Sequence, residues 1–470
     1  MTEDQNLSER PKVLIVGAGI GGLTLGILLE KAGVPYEIVE RAREVKNLGS
    51  AMSLGSNVLY MFKQIGIYDE FVSRTKILPG IDVYNENRQK EFVMDFKGGA
   101  EIGGLSSYIV ARPVLHDLLL RQIPPEKLNM GKRVLSLEQG ENGVMIRCAD
   151  STEYHGDILI GADGANSAVR QSLYQQIDKL GRLPSSDNQP LPYSCVCLVG
   201  QTRPMDPAKF PQLNDPNCHF NSVIATDRPY SWTTFSMHDN TFCWGVVEYL
   251  NGETMKNHDN FRNSDWGPEA ADVMCKTVAS FPIPGSADGK WTLGDLFDNT
   301  PPHLISKVML EEKVFDTWYY GRTALLGDAC HKVHPAAGGG ALNAMQDAIV
   351  LANWINTINT NELEDIEKIF KEYKSERYPI AKAAFVNGQM MAKLTARSWV
   401  ARFSRWFFKH MPAWLYRISL KKMVESRPQV SFLPLEEDKG TTPPIYQASL
   451  HKTLKILQAR AAANASATAL

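Results

Sequence analysis

The residues of this chain whose types and spacing suit chemistry lie in three glycine-rich stretches, each with a carboxylate. In VLIVGAGIGGLTLGILLEKAGVPYEIVE (13–40), Gly17, Gly19 and Gly22 stand at G-x-G-x-x-G spacing and Glu40 closes the stretch. The first glycine permits a tight turn, the second lets backbone approach a pyrophosphate, and the third lets a helix pack closely on a strand. Free N–H groups and the positive end of the helix dipole then face the phosphates, and Glu40 is placed to accept from ribose hydroxyls. In DILIGADGANSAVR (157–170), Asp163 sits in a glycine-flanked turn. In RTALLGDACHKVHPAAGGGALN (322–343), Asp328 can bind polyol hydroxyls, and Gly338, Gly339 and Gly340 lead into a helix whose N-terminus can stabilise negative charge on a ring system. A pyrophosphate loop, a ribose acceptor and an anion-stabilising helix end describe a dinucleotide site.

Other candidates are less determined. Arg112, just ahead of a helix beginning near Pro113, reads equally as a surface cation or a ligand clamp. His331 and His334 have no acidic or cysteine partner at ligand spacing, so no metal centre is expected. No Ser/His/Asp arrangement stands out, and a protein base for substrate, if one is used, comes from Tyr230, His219 or His238.

The elements that must position these residues follow from the pattern. Val13–Val16 reads as a strand buried on both faces, 23–31 as a helix and Tyr36–Val39 as a second strand. Residues 13–29 carry no charge, but their glycines, the acidic Glu3, Asp4 and Glu9 ahead of them and the returning strand argue against a membrane span. The small residues of 49–61 suit backbone lying against a ligand, or an ordinary loop entering a helix near 57–65. Residues 132–137 and 143–148 alternate as antiparallel strands do, and 342–356 reads as a helix.

From Tyr193 the character changes: 193–201, 221–226, 230–237 and 241–249 read as successive strands of a mostly antiparallel sheet. Its aromatic residues, Trp232 and Trp244 among them, suit a pocket wall, although plain sheet packing accounts for about half. Trp232, Trp244 and the loop Pro335–Ala341 are expected to meet over the cofactor. Residues 362–378 read as a solvated helix and 461–470 as a frayed tail. The aromatic, basic stretch 396–424 has no run long enough to span a bilayer; it either packs across the domains or lies on a membrane surface.

At 470 residues the chain has room for two or three domains. With 50 Lys+Arg against 52 Asp+Glu, no overall field invites nucleic acid. Seven cysteines without paired spacing fit a reducing, cytoplasmic compartment better than a disulfide framework.

Taken in order, GAGIGG with Glu40, IVARPVLHDLL, DILIGADGANSAVR and GDACHKVHPAAGGGALN resemble the single-component FAD-dependent (group A) monooxygenases, closest to the salicylate-hydroxylase-like branch with its fungal paxilline-pathway-type enzymes. The resemblance covers about residues 11–390. It implies an α/β fold: a Rossmann-like FAD-binding domain from segments 11–80, 111–180 and 311–390, a mostly antiparallel substrate domain from 81–110 and 190–310, and C-terminal helices and tail over 391–470. It implies that Gly17, Gly19 and Gly22 hold the FAD pyrophosphate and Glu40 the adenosine ribose. Ala51 would approach the cofactor, Arg112 would touch its ribityl–phosphate region, and Asp163 would serve both FAD and NAD(P)H. Asp328 would bind the ribityl chain or pyrophosphate, and Gly339, Gly340 and Ala341 would lie beside the isoalloxazine. No second G-x-G-x-x-G is present, in keeping with transient NAD(P)H binding.

The activity so implied is NAD(P)H- and O2-dependent hydroxylation or epoxidation of an aromatic, polyketide or terpenoid-type small molecule through a flavin C4a-hydroperoxide. The alternatives are a flavin reductase of the geranylgeranyl-reductase type and a flavoprotein scaffold that turns nothing over. A halogenase is disfavoured by the missing Trp-x-Trp-x-Ile-Pro signature.

Overall fold

The computed structural model describes residues 10–45, 50–250, 268–286, 288–334, 338–394 and 399–468. Val13–Val16 is buried along its length, as an aliphatic strand covered on both faces must be. It lies inside a six-stranded sheet, parallel to Tyr36–Val39 on one side and to Ile158–Gly161 on the other. Thr323–Leu325 runs parallel beyond Ile158–Gly161, and Tyr319–Tyr320 adds an antiparallel edge. All three glycine-rich stretches therefore leave the carboxyl ends of adjacent parallel strands, where open α/β sheets gather ligands.

Helices Ile20–Ala32 and Gly340–Ile355 cover this sheet and touch each other. A Cβ on Gly21 would stand 2.5 Å from Leu326 Cδ2 and 3.1 Å from Ala344 Cβ, so the first helix reaches the third stretch only because position 21 is glycine.

The second sheet has seven strands, in the order Ser306–Glu311, Tyr193–Gln201, Phe242–Tyr249, Tyr230–Ser236, Phe220–Ile224, Gly80–Tyr84, Lys90–Asp95. Only Phe220–Ile224 with Gly80–Tyr84 is a parallel pair. Successive side chains point to opposite faces. One face carries Val196, Leu198, Trp232, Phe242, Trp244 and Val246 against helices Pro268–Val278 and Leu293–Asp298. The other carries Phe235, Met237 and Cys243 against Ala51, Ile109 and Ala111, and Cys195 and Cys197 against Leu310.

Toward the C-terminus the structure departs from the sequence reading. The helix expected over 362–378 runs from Leu363 to Leu394, and Ile366, Phe370, Tyr373 and Arg377 form a buried stripe rather than a solvated surface. The expected frayed tail belongs to helix Ala448–Thr468, anchored by Ser449, whose N–H donates to Glu376 at 2.6 Å. Between them, Asn57 Nδ2 donates to Met423 O at 2.7 Å, and the side chain of Gln64 donates to Val430 O at 3.0 Å, strapping the chain across helix Ser56–Ile65.

Candidate functional site

The glycine loop is set by close approach. Gly17 has φ +108°, and a Cβ there would stand 2.5 Å from Ala162 O and 2.9 Å from Asp163 Cα. A Cβ on Gly22 would stand 2.0 Å from Gly17 O. Gly19 is different: a Cβ there would meet no protein atom within 4 Å. Gly17 and Gly22 serve packing, and Gly19 opens onto free space at the N-terminus of helix Ile20–Ala32, which has no side-chain cap and no acid in its first turn.

Glu40 closes this loop from the next strand. Its Oε2 accepts from Ala18 N at 2.8 Å and its Oε1 from Ala42 N at 2.8 Å. Each oxygen retains acceptor capacity for a hydroxyl. His116, which sequence reasoning passed over, donates from Nε2 to Ala18 O at 2.8 Å from inside helix Arg112–Leu120. Burial pushes its pKa down and favours the neutral ring, while the hydrogen bond to Ala18 O works the other way. The signal was available in YIVARPVLHDLLL, as a histidine on the apolar face of a short helix.

Asp163 is absorbed by its own helix. Oδ1 accepts from Ser167 Oγ at 2.5 Å and Oδ2 from Ala168 N at 2.7 Å, so the carboxylate caps helix Ala168–Lys179. Burial raises its pKa and these hydrogen bonds oppose the rise. Arg170, also missed, ties the second stretch to the third: Nη1 donates to Ala329 O at 2.9 Å and Nη2 to Ala165 O at 2.6 Å. The cleft behind this helix, about 650 Å³ and lined by Asn166, Arg170, Tyr174, Asp187 and Glu311, includes none of the glycine-loop residues.

Asp328 follows Gly327 (φ +62°) and meets the helix end beside it. A Cβ on Gly340 would lie 3.9 Å from Asp328 Oδ1, and Lys332 Nζ is 3.5 Å from Oδ2. Burial lowers the pKa of Arg112 and the charge of Asp328 works against that, which puts these two groups in one electrostatic environment. The backbone N–H of Arg112 donates to Ser50 O at 2.9 Å, and Ala51 pairs with Ala111 in the strand beside it. Gly339 precedes helix Gly340–Ile355, and Ala341 packs on the main core. Pro335 lies outside the described residues, as does residue 49 at the start of the small-residue stretch. Gly17, Glu40, Arg112, Asp163, Asp328 and Gly340 thus border one region at the carboxyl edge of the parallel sheet.

His331 and His334 do not act as a pair. His331 Nε2 is 2.5 Å from Asp347 Oδ2, and Cys330, His331 and Asp347 offer atoms within 4.8 Å of one another. Sequence spacing hid this acidic partner, which comes from the following helix. The carboxylate is also engaged by Arg377 Nε at 2.7 Å and Gly327 N at 3.0 Å, so the cluster is part of a buried hydrogen-bond network. His334 Nε2 instead lies 3.2 Å from Cys195 Sγ, joining the third stretch to the second sheet.

The aromatic wall is corrected. Trp244 Nε1 donates to Thr300 Oγ1 at 3.0 Å and its ring lies 4.7 Å from Phe297; Trp232 Nε1 donates to Pro282 O at 2.9 Å. Both belong to the face covered by the two helices, away from Ala51 and His334. Tyr230 is on that face too, 5.4 Å from Phe281, with its hydroxyl on Glu248 Oε1 at 3.1 Å. His219 is half-exposed and pairs with Asp215 at 2.9 Å, and His238 is exposed in a hairpin turn. None of the three is brought to the glycine loop by a contact among the described residues.

An open parallel sheet with a glycine loop at the first strand, an acidic residue closing the second and a Gly-Asp turn entering a helix defines an FAD-type dinucleotide-binding protein. The chain belongs to the FAD binding domain family, whose model matches residues 10–186 and 293–387. It is 27% identical over 406 residues to the FAD-dependent monooxygenase esdpE of Penicillium shearii, covering 83% of this chain and 79% of the relative. It is 26% identical over 401 residues to the FAD-dependent monooxygenase paxM of Penicillium paxilli, covering 82% and 79%. The fold is shared with Klebsiella pneumoniae HpxO, solved with FAD and uric acid: TM-score 0.69, 20% identity, 88% of this chain and 97% of that one. No helix among the described residues is long and apolar enough to cross a membrane.

Proposed function

We propose that the chain is an FAD-dependent monooxygenase that consumes NAD(P)H and O2 to hydroxylate or epoxidise an apolar aromatic, polyketide or terpenoid-type small molecule in secondary metabolism. The carrying observation is the convergence of three glycine-rich stretches on a region where Gly19 faces open space and Asp328 stands beside the Gly340 helix end. The two relatives named above support the activity; neither supports the reductase alternative.

The residues present fit FAD. Gly19 and the uncapped N-terminus of Ile20–Ala32 suit a pyrophosphate, Glu40 a ribose, and Asp328 with Arg112 the ribityl–phosphate portion, while Ala51, Gly339, Gly340 and Ala341 would border the ring system. Bound FAD, reduced by NAD(P)H, supplies the activation of O2, one atom of which enters substrate while the other leaves as water. The chain's own work is to bind, orient and exclude water. Asp163 and Arg170 do this indirectly, Asp163 by fixing the turn of the second stretch and Arg170 by tying that stretch to the third.

The second sheet offers the substrate its other face. Gly245 lies between Val199 and Thr233 in register, on the side of Cys243 and Val247. Val199, Thr233 and Val247 are only partly buried there, and a Cβ on Gly245 would meet Thr233 Oγ1 at 3.4 Å and Val199 Cγ1 at 3.7 Å. We read this row as a shallow notch for the substrate, between the clusters that hold Ala51 and Cys195.

The test is to purify the chain, measure bound FAD, and follow NADH and NADPH oxidation with and without O2 against candidate apolar substrates. Substrate-stimulated, O2-dependent oxidation with a product heavier by one oxygen supports the reading. Bound FAD with NAD(P)H oxidation that proceeds equally without O2 overturns it.

A further inference from the structure

Two consecutive helices near the C-terminus, Trp399–Lys409 and Ala413–Val424, expose apolar side chains that a water-facing surface does not account for. Phe403, Trp406 and Phe407 are 59%, 56% and 40% exposed, and Trp414, Ile418 and Met423 are 65%, 44% and 54% exposed. Single exposed hydrophobics are ordinary; a run of large aromatic ones is not. The spacing groups them. Phe403, Trp406, Phe407 and His410 recur at i, i+3, i+4 and i+7, with Trp406 5.8 Å from Phe403 and 4.9 Å from His410 between ring centroids.

The second helix shows which side is already used. Leu420 and Val424 are buried against Ile102, and Tyr416 donates to Asp95 O at 2.7 Å. These three, four residues apart, fix one face to the body of the protein. Trp414, Ile418 and the Lys421–Lys422 pair, at i, i+4, i+7 and i+8, are left on another face.

Charge decides what suits this surface. Residues 402–424 hold Arg402, Arg405, Lys409, Arg417, Lys421 and Lys422 and no Asp or Glu. The chain as a whole stands at −2, so the rest of it is at −8 against this segment's +6. Arg417 is drawn to Glu101 at 2.8 Å. No ion pair reaches Arg402, Lys409, Lys421 or Lys422 among the described residues. Tryptophan and phenylalanine interleaved with lysine and arginine, on helices too polar to span, is the composition of a helix that lies in a bilayer interface: the rings enter the headgroup region and the cations meet anionic lipid. A second copy of the chain would bring six cations against six.

We infer that the helix pair Trp399–Lys409 and Ala413–Val424 docks this protein on an anionic phospholipid surface as a peripheral contact. The inference does not depend on the proposed oxygenation, since it rests on residues outside the cofactor region.

The test uses the full chain and sedimentation with vesicles of phosphatidylcholine alone or mixed with phosphatidylserine. Binding is expected to the mixed vesicles and to weaken as salt is raised. The double change Lys421→Glu, Lys422→Glu should lower partition by more than about tenfold, at about fivefold per basic residue. Trp406→Ser with Trp414→Ser should lower it by about tenfold or more. FAD content and NAD(P)H oxidation in the absence of vesicles should match the parent in both variants, which separates this inference from the proposed function and from misfolding. Absence of sedimentation with the mixed vesicles, or sedimentation indifferent to both double changes, overturns it. So does a dimer in light scattering that the tryptophan changes dissociate while vesicle binding is absent.

Discussion

Asp347 and Arg377 form a buried ion pair, Nε to Oδ1 at 2.7 Å, with side chains 0% and 1% exposed. The arginine also donates to Gln346 Oε1 at 2.9 Å and Asn343 Oδ1 at 3.0 Å, while the carboxylate accepts from the N–H of Gly327 at 3.0 Å. One side chain from helix Leu363–Leu394 thereby holds the helix that begins at Gly340 and the turn that presents Asp328. The pair sets the geometry of the cofactor region without facing it.

Arg377→Ala is accordingly expected to destabilise by about 3–5 kcal/mol, since it strands a buried carboxylate. Its pH dependence follows from Asp347. Burial works to raise that carboxyl's pKa, but His331 and Arg377 overcome burial and hold it below the ordinary value. A group depressed on folding binds fewer protons folded than unfolded. Its contribution is complete above the unfolded value, about 3.9, and is lost as pH falls through the folded one. Denaturant unfolding across pH 3 to 7 should show Asp347→Asn less stable at neutrality and with a shallower acid decline than the parent. Parallel curves would remove Asp347 from the network.

The glycine loop separates fold from cofactor. Gly22→Ala would force a methyl against Gly17 O and is expected to cost more than the about 1–3 kcal/mol of ordinary overpacking, losing stability and FAD together. Gly19→Ala meets no protein atom and has an ordinary φ of −74°. Its melting temperature without FAD should match the parent's, while FAD retention falls. Equal FAD affinity in Gly19→Ala and parent would place the pyrophosphate elsewhere.

What the sequence made legible was local. The glycine spacing, the strands 13–16 and 36–39 and the Gly-Asp turn were readable because each is fixed by neighbours within a few residues: a positive φ, a helix end, an alternation. Trp244 was not, because period two shows that it shares a face with Phe242 and Val246 but not which layer covers that face. Asp347 with His331, and Arg170 with Ala329, were invisible for a related reason. Their partners come from other elements, and no spacing rule reaches across a sheet. Asp163 was legible as a special position, yet the helix that it caps takes up its carboxylate.

Asp328→Ala is expected to weaken FAD retention by about 1.5–3 kcal/mol, the worth of a hydrogen bond to a charged acceptor, or about tenfold to a hundredfold in Kd. Its neighbours Lys332 and Arg112 are cations with no acceptor atom and cannot replace it. Fluorimetric FAD titration of parent and variant checks this, with Asp328→Asn as control. Unchanged affinity in both would show that the carboxylate serves Lys332 alone.

The last prediction compares the two sides of one strand. Trp244 and Gly245 are consecutive in Phe242–Tyr249, so the sheet sends one toward the covering helices and the other toward Ala51 and His334. Trp244→Ala removes a fully buried ring and is expected to cost about 3–5 kcal/mol. If the folded protein is then assayed, the ratio of hydrogen peroxide formed to NAD(P)H oxidised should stay at the parent's value, because no opening is made toward the cofactor. Gly245→Ala should behave in the opposite way. The added methyl meets Thr233, Val199 and the Leu198 carbonyl at ordinary contact distances, so stability and FAD content should hold. It would narrow the notch proposed to seat the substrate, raising KM and sending reducing equivalents to peroxide as substrate is held less well against the cofactor. A peroxide ratio that rises in Trp244→Ala and not in Gly245→Ala would reverse the assignment of faces. Unchanged KM and coupling in Gly245→Val as well would move the substrate off this sheet.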